Sequence, residues 1–147
     1  MRRALLVTVV LGGVLAPGRA DAVGLELGLN GGYWFRKSPQ FGVTFGAGEH
    51  LGKNVSVNVR AGLLINTYFS GAASELGVPV DAVLRFHIQR MYIEAVGGPW
   101  FLFGPLDFLR AHFAIGFGAY LRSFSFGIEA GWLQNEALLL ARFGFHL

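Results

Sequence analysis

The sequence predicts an all-β chain, an eight-stranded antiparallel up-and-down transmembrane barrel, preceded by a cleavable export segment. Three observations lead there. Beyond residue 22 the apolar positions alternate with period two rather than recurring at helical spacing. Every mid-strand charge falls on the opposite phase. The 147 residues are 53% hydrophobic and only 14% charged, with 22 Gly and no Cys. This length allows one domain. The composition is too apolar for disorder, too poor in charge for a coiled coil, and without thiols for a disulfide scaffold or a Cys-ligated zinc module.

Residues 1–22 read as a signal peptide. Met1-Arg2-Arg3 is the positive start, Ala4 to Ala16 an apolar run of 13 residues, and Ala20-Asp21-Ala22 a small-x-small cleavage site. As a helix such a run rises about 20 Å, short of the roughly 30 Å hydrocarbon core. Cleavage removes three of the 12 basic residues (Arg2, Arg3 and Arg19) and one of the 9 acidic ones (Asp21), leaving nine against eight. The remaining charges form no basic run, so nucleic acid is not expected as a partner. Residues 23–147 then make up the barrel.

Eight segments carry the alternation. The first three place Val23, Leu25, Leu27 and Leu29, then Phe41, Val43, Phe45 and Ala47, then Val55 through Ile65 at odd positions, on one face. The fourth runs Val80, Ala82, Leu84, Phe86, Ile88, and the fifth is the short Met91, Ile93, Ala95. The sixth runs from Leu109 to Ala119, the seventh from Phe124 to Trp132, and the eighth from Ala137 to Leu147. The other face holds Glu26, Arg60, Asp81, Arg85, Glu94, Arg110, Glu129 and Arg142 among glycines and small polar residues. Breakers separate the segments at 36–39, 48–54, 66–79, 87–90, 97–107, 121–123 and 133–136. The prolines of this region fall in those connections, with Pro79 expected at a strand entrance, where its missing N–H is tolerated.

Such a barrel closes in one of two senses. With the apolar face inside, the exterior would be glycine-rich with about one charge per strand, a poor surface for solubility. With that face outside, Phe, Val and Leu meet lipid, and the charges fill a lumen just wide enough for side chains. Closure also pairs every backbone group, as lipid requires. Trp34, Trp100, Trp132, Tyr33, Tyr68, Tyr92 and Tyr120 lie mostly near segment ends, where aromatic girdles are expected. The lipid sense is the one adopted.

At this point the chain resembles the small eight-stranded outer-membrane barrels of the OmpA/OmpX type. The resemblance covers residues 23–147 and is one of pattern rather than motif. It extends to Ala141, Phe143, Phe145 and Leu147, which alternate like the assembly signal presented to the barrel insertion machinery; the family usually ends on Phe, whereas this chain ends Phe145-His146-Leu147. The resemblance implies a bacterial outer-membrane protein with lipid as its surroundings and both termini in the periplasm. Connections at 34–40, 66–79, 97–108 and 133–136 would then face outside the cell.

Candidate chemistry is sparse. The histidines His50, His87, His112 and His146 show no metal-ligand spacing, and no metal or cofactor is expected. His112, Ser125 and Glu129 share the lumen phase and could assemble as base, nucleophile and orienting acid of a lipid acyl hydrolase. Barrel lipid A deacylases carry a His-x-Ser element, however, and here the triplet is His112-Phe113-Ala114; the simpler reading is a His112 hydrogen-bonded within a filled lumen. The eight lumen charges form either a plug of ion pairs or a charged constriction that passes ions, and eight strands favour the plug. Trp100, Phe101 and Phe103 lie in an aromatic outer connection, expected to pack on the membrane interface; hydrophobic-ligand or partner binding, or a mere extension of two strands, are the alternatives. The leading expectation is a monomeric, non-enzymatic envelope structural or surface-interaction protein; the alternatives are the acyl hydrolase, a narrow pore and a hydrophobic-ligand barrel.

Overall fold

A computed structural model describes residues 24–35, 38–67, 74–104 and 108–147. The expected signal peptide and Tyr68 lie outside the described residues. Eight strands form one closed antiparallel barrel in sequence order: β1 (Gly24–Trp34), β2 (Ser38–His50), β3 (Val55–Asn66), β4 (Glu75–Ile88), β5 (Met91–Phe103), β6 (Leu109–Leu121), β7 (Phe124–Leu133) and β8 (Glu136–His146). β8 returns to pair with β1, so no sheet edge is left for water or lipid to solvate.

The register fixes the barrel's shape. A line of paired residues runs Gly24, Gly48, Asn58, Val83, Val96, Ala114, Gly131, Leu138 and back to β1 at Trp34, ten positions beyond its start. That stagger in eight strands corresponds to a strand tilt of about 40°.

Alternation sorts the side chains as the sequence implies. Phe41, Phe113, Ile115, Phe117, Ile128 and Leu139 stand out from the barrel, with Ile115 at 65% exposure. All eight charges of the opposite phase point inward and are less than 9% exposed. Inward glycines let the strands curl tightly. A Cβ on Gly98 would lie 1.9 Å from the Val80 carbonyl oxygen, and one on Gly118 would lie 2.2 Å from that of Phe126. No side chain fits at either point.

Two expectations need correction. Pro79 is not at a strand entrance: β4 begins at Glu75, and Pro79 lies in mid-strand opposite Trp100. Pro39 and Pro99 are likewise within strands. The register is the same on both sides of Pro79, passing from Ala61–Val80 to Leu64–Gly77 toward β3 and from Ala82–Gly97 to Pro79–Trp100 toward β5. The pairing skips Pro79 and Val78 toward β3, and Pro99 and Gly98 toward β4; the two prolines lack an N–H, and the rest of both ladders holds the strands in place. The second correction is that 97–103 is strand, not an outer connection. β5 continues through Gly97-Gly98-Pro99 to Phe103. In lipid, pairing the backbone outweighs the poor strand propensity of Gly and Pro.

Gln89–Arg90, Arg122–Ser123 and Gln134–Asn135 are tight turns whose first residues adopt left-handed backbone, with φ of 56°, 54° and 60°.

Candidate functional site

The lumen is filled in three layers. In the middle, three guanidiniums meet four carboxylates. Arg60 binds Glu129 in bidentate fashion, Nη1 to Oε1 at 2.6 Å and Nη2 to Oε2 at 2.7 Å, and donates Nε to Asp81 Oδ2 at 3.3 Å. Arg85 donates Nε to Glu94 Oε2 at 2.7 Å and Nη1 to Glu26 Oε2 at 3.1 Å, and stacks over Tyr92 at 4.5 Å. Arg142 joins the two halves. It bonds Glu26 Oε1 and Glu129 Oε1, the latter at 3.4 Å, and lies 3.7 Å from Glu94 Oε1.

Two of these pairs are direct cross-strand neighbours, Arg60 opposite Asp81 and Arg85 opposite Glu94. The Arg60–Glu129 fork instead crosses the lumen from β3 to β7. Burial makes such charges costly unless every one is paired and hydrogen-bonded. Here each of the seven has at least one opposite charge within 4 Å.

The eighth expected member, Arg110, lies elsewhere. It lies at the end of the barrel bearing the 35–37 and 134–135 connections, where its guanidinium covers the Trp34 ring at 4.8 Å and stands 4.0 Å from Glu136. This end is predominantly apolar. Trp34, Leu64, Trp100, Leu102, Leu133, Leu138 and Leu140 form one buried cluster, with Gln40, Asn66 and Glu75 buried beside it.

Asp81 ties this cluster to the charges below. Its Oδ1 accepts from Trp100 Nε1 at 3.1 Å and from His112 Nδ1 at 2.9 Å, and the His112 and Trp100 rings are 4.5 Å apart. A cavity of about 10 Å³ lined by Asn30, Gln40, Thr44, Arg60, Asp81 and Trp100 lies here. That is about the room one water needs.

The third layer closes toward the termini. His50 and His87 rings are 5.1 Å apart, His87 stacks on Tyr120 at 5.6 Å, and Tyr120 meets His146 at 5.3 Å. His87 Nε2 and Ser56 Oγ hydrogen-bond at 2.9 Å. Among the described residues no group of three or more His, Cys, Asp or Glu is placed to share a metal ion.

The aromatic residues depart from expectation. Trp100 is not an outer-loop residue: it is 2% exposed, inside the barrel, because it shares the even phase of Glu94 and Gly98 on β5. Phe101 and Phe103 are on β5 and face outward, each packing against Phe108, at 5.6 and 5.4 Å. Trp34 and Tyr92 are also lumen residues rather than girdle residues. The outer rim instead carries Tyr33, Phe35, Phe41, Phe103, Phe108 and Trp132.

The hydrolase constellation does not assemble. His112 pairs with Leu133 across β6 and β7, whereas Ser125 pairs with Tyr120 at the opposite end of the same two strands. Eight positions separate Leu133 from Ser125 along β7, about 27 Å at strand rise. Glu129 is engaged by Arg60 and Arg142.

No protein-family model and no curated protein matches the sequence. Solved structures do match its fold. The solution structure of the de novo designed TMB2.3 is similar with a TM-score of 0.66 and 16% identity, over 88% of this chain and 98% of that one. The N-terminal β-barrel domain of Pseudomonas aeruginosa OprF is similar with a TM-score of 0.59 and 13% identity, over 84% of this chain and 97% of that one. The Yersinia pestis outer membrane protein Ail gives 0.58 and 8%, over 86% and 100%. With its closed register, apolar exterior and filled interior, the chain has the fold of the small eight-stranded outer-membrane β-barrels.

Proposed function

We propose that this chain is a closed, non-enzymatic barrel of the bacterial outer membrane, monomeric, with both termini in the periplasm and an envelope-structural role. The observation that carries this reading is the filled lumen: an apolar cluster at one end, a paired charge layer in the middle, and a gap of about 10 Å³ between them. A conducting pore or a lumenal ligand site needs continuous space, and the buried Trp, Leu and Arg side chains of the two layers argue against it. On the outer side the Gln134–Asn135 connection is a two-residue turn, which adds little surface beyond the bilayer for an elaborate adhesin.

Folded protein added to planar lipid bilayers is expected to give no steady conductance, while its heat-modifiable gel band reports a closed barrel. A stable ohmic current from the folded species would replace the structural reading with a pore.

A further inference from the structure

At the end of the barrel bearing the termini, two neighbouring turns enclose a cleft of about 700 Å³ lined by Gln89, Arg90, Tyr120, Leu121 and Arg122. The turns are held together by the Tyr120 amide, which donates to the Arg90 carbonyl at 2.7 Å. No carboxylate lines the cleft. Neither guanidinium has a hydrogen-bonding or ionic partner among the described residues. This contrasts with Arg60, Arg85, Arg110 and Arg142, all of which face acids.

The backbone does not call for an arginine here either. Arg122 holds a left-handed conformation with φ of 54°, where Gly or Asn is the low-cost choice. From Leu121 in the cleft outward the barrel wall is apolar: Leu121, Ile88 and Met91 are 57%, 58% and 59% exposed. The site therefore offers cations at its mouth and a hydrocarbon-compatible wall beside them.

We infer that this cleft binds the phosphate group of an anionic phospholipid, with Arg90 and Arg122 holding the phosphate and the acyl chains lying on Leu121, Ile88 and Met91. Guanidinium forks match phosphate oxygens in charge and geometry, and at a bilayer surface each such cation favours anionic lipid. The inference rests on the membrane-barrel reading and adds a lipid preference to it.

The test uses the folded chain in phosphatidylcholine nanodiscs, with phosphatidylglycerol replacing part of the lipid, read by amide NMR shifts. Amides of Gln89, Arg90, Leu121 and Arg122 should shift and saturate as phosphatidylglycerol rises. The Arg90→Gln/Arg122→Gln variant should weaken that response about thirtyfold, with the rest of the spectrum unchanged. Gly52 to Asn54, on a third turn at the same end that includes Lys53, is the internal control. An equal response there would mean diffuse surface charge and would overturn the site. Inorganic phosphate that reproduced the shifts while phosphatidylglycerol did not would assign the cleft to a soluble anion and overturn the lipid assignment. A folded spectrum with no response to either also overturns it, leaving the membrane reading intact, whereas failure to fold in lipid would sink both.

Discussion

Arg142→Ala is expected to destabilise the barrel by about 3–5 kcal/mol, the cost of breaking a buried ion pair by removing one partner. Arg142 contacts Glu26, Glu94 and Glu129 together. Its loss leaves four carboxylates sharing Arg60 and Arg85 in a lumen that water barely enters. The unfolded chain in urea hydrates all four, so the penalty falls wholly on the folded state. Removing charge on both sides should be milder, because a neutral pair of similar volume needs no counter-ion. Urea unfolding in lipid vesicles would thus show Arg142→Met/Glu26→Gln losing less than the sum of its single variants. Additive losses would mean that Arg142 and Glu26 do not interact energetically in the folded barrel.

The second large effect is expected at the loop end. Trp100→Ala should cost about 3–5 kcal/mol, the range for deleting a buried indole from a packed cluster. Trp100 is 2% exposed, packs on His112, and donates to Asp81. Trp100→Phe separates the contributions. It keeps most of the volume and loses only the Nε1–H, and Asp81 retains His112 and Arg60, so about 1–3 kcal/mol is expected. If Phe cost as much as Ala, the hydrogen bond to Asp81 rather than the packing would dominate.

The barrel and its inside and outside were legible because parity in a strand is strict. One phase held Phe, Val, Leu and Ile, and the other held all eight charges later found in the lumen. What parity lacks is azimuth. The Arg60–Glu129 fork joins residues 69 positions apart on β3 and β7, and it follows only once the stagger of the closed barrel is known. For the same reason three dispersed histidines meet at one mouth, and Arg110 finds Glu136 rather than the central network.

Trp100 was misplaced for a different reason. Gly97-Gly98-Pro99 read as a chain breaker, although the alternation continues unbroken through Phe101 and Phe103 on the outside and Trp100 and Leu102 on the inside. Following phase across Gly31-Gly32 would also have put Trp34 in the lumen. Propensity rules drawn from water mislead where lipid forces the backbone to pair.

Intrinsic fluorescence offers the most direct test of which surface meets lipid, because the three tryptophans divide cleanly. Trp132 stands outside the barrel at 58% exposure, while Trp34 and Trp100 are inside at 0% and 2%. In vesicles whose acyl chains are brominated, emission should be partly quenched, and Trp132→Phe should abolish the quenching while the gel mobility of the folded form is kept. Quenching that survived in Trp132→Phe would place Trp34 or Trp100 against lipid and contradict the assignment of inside and outside on which the lumen network depends.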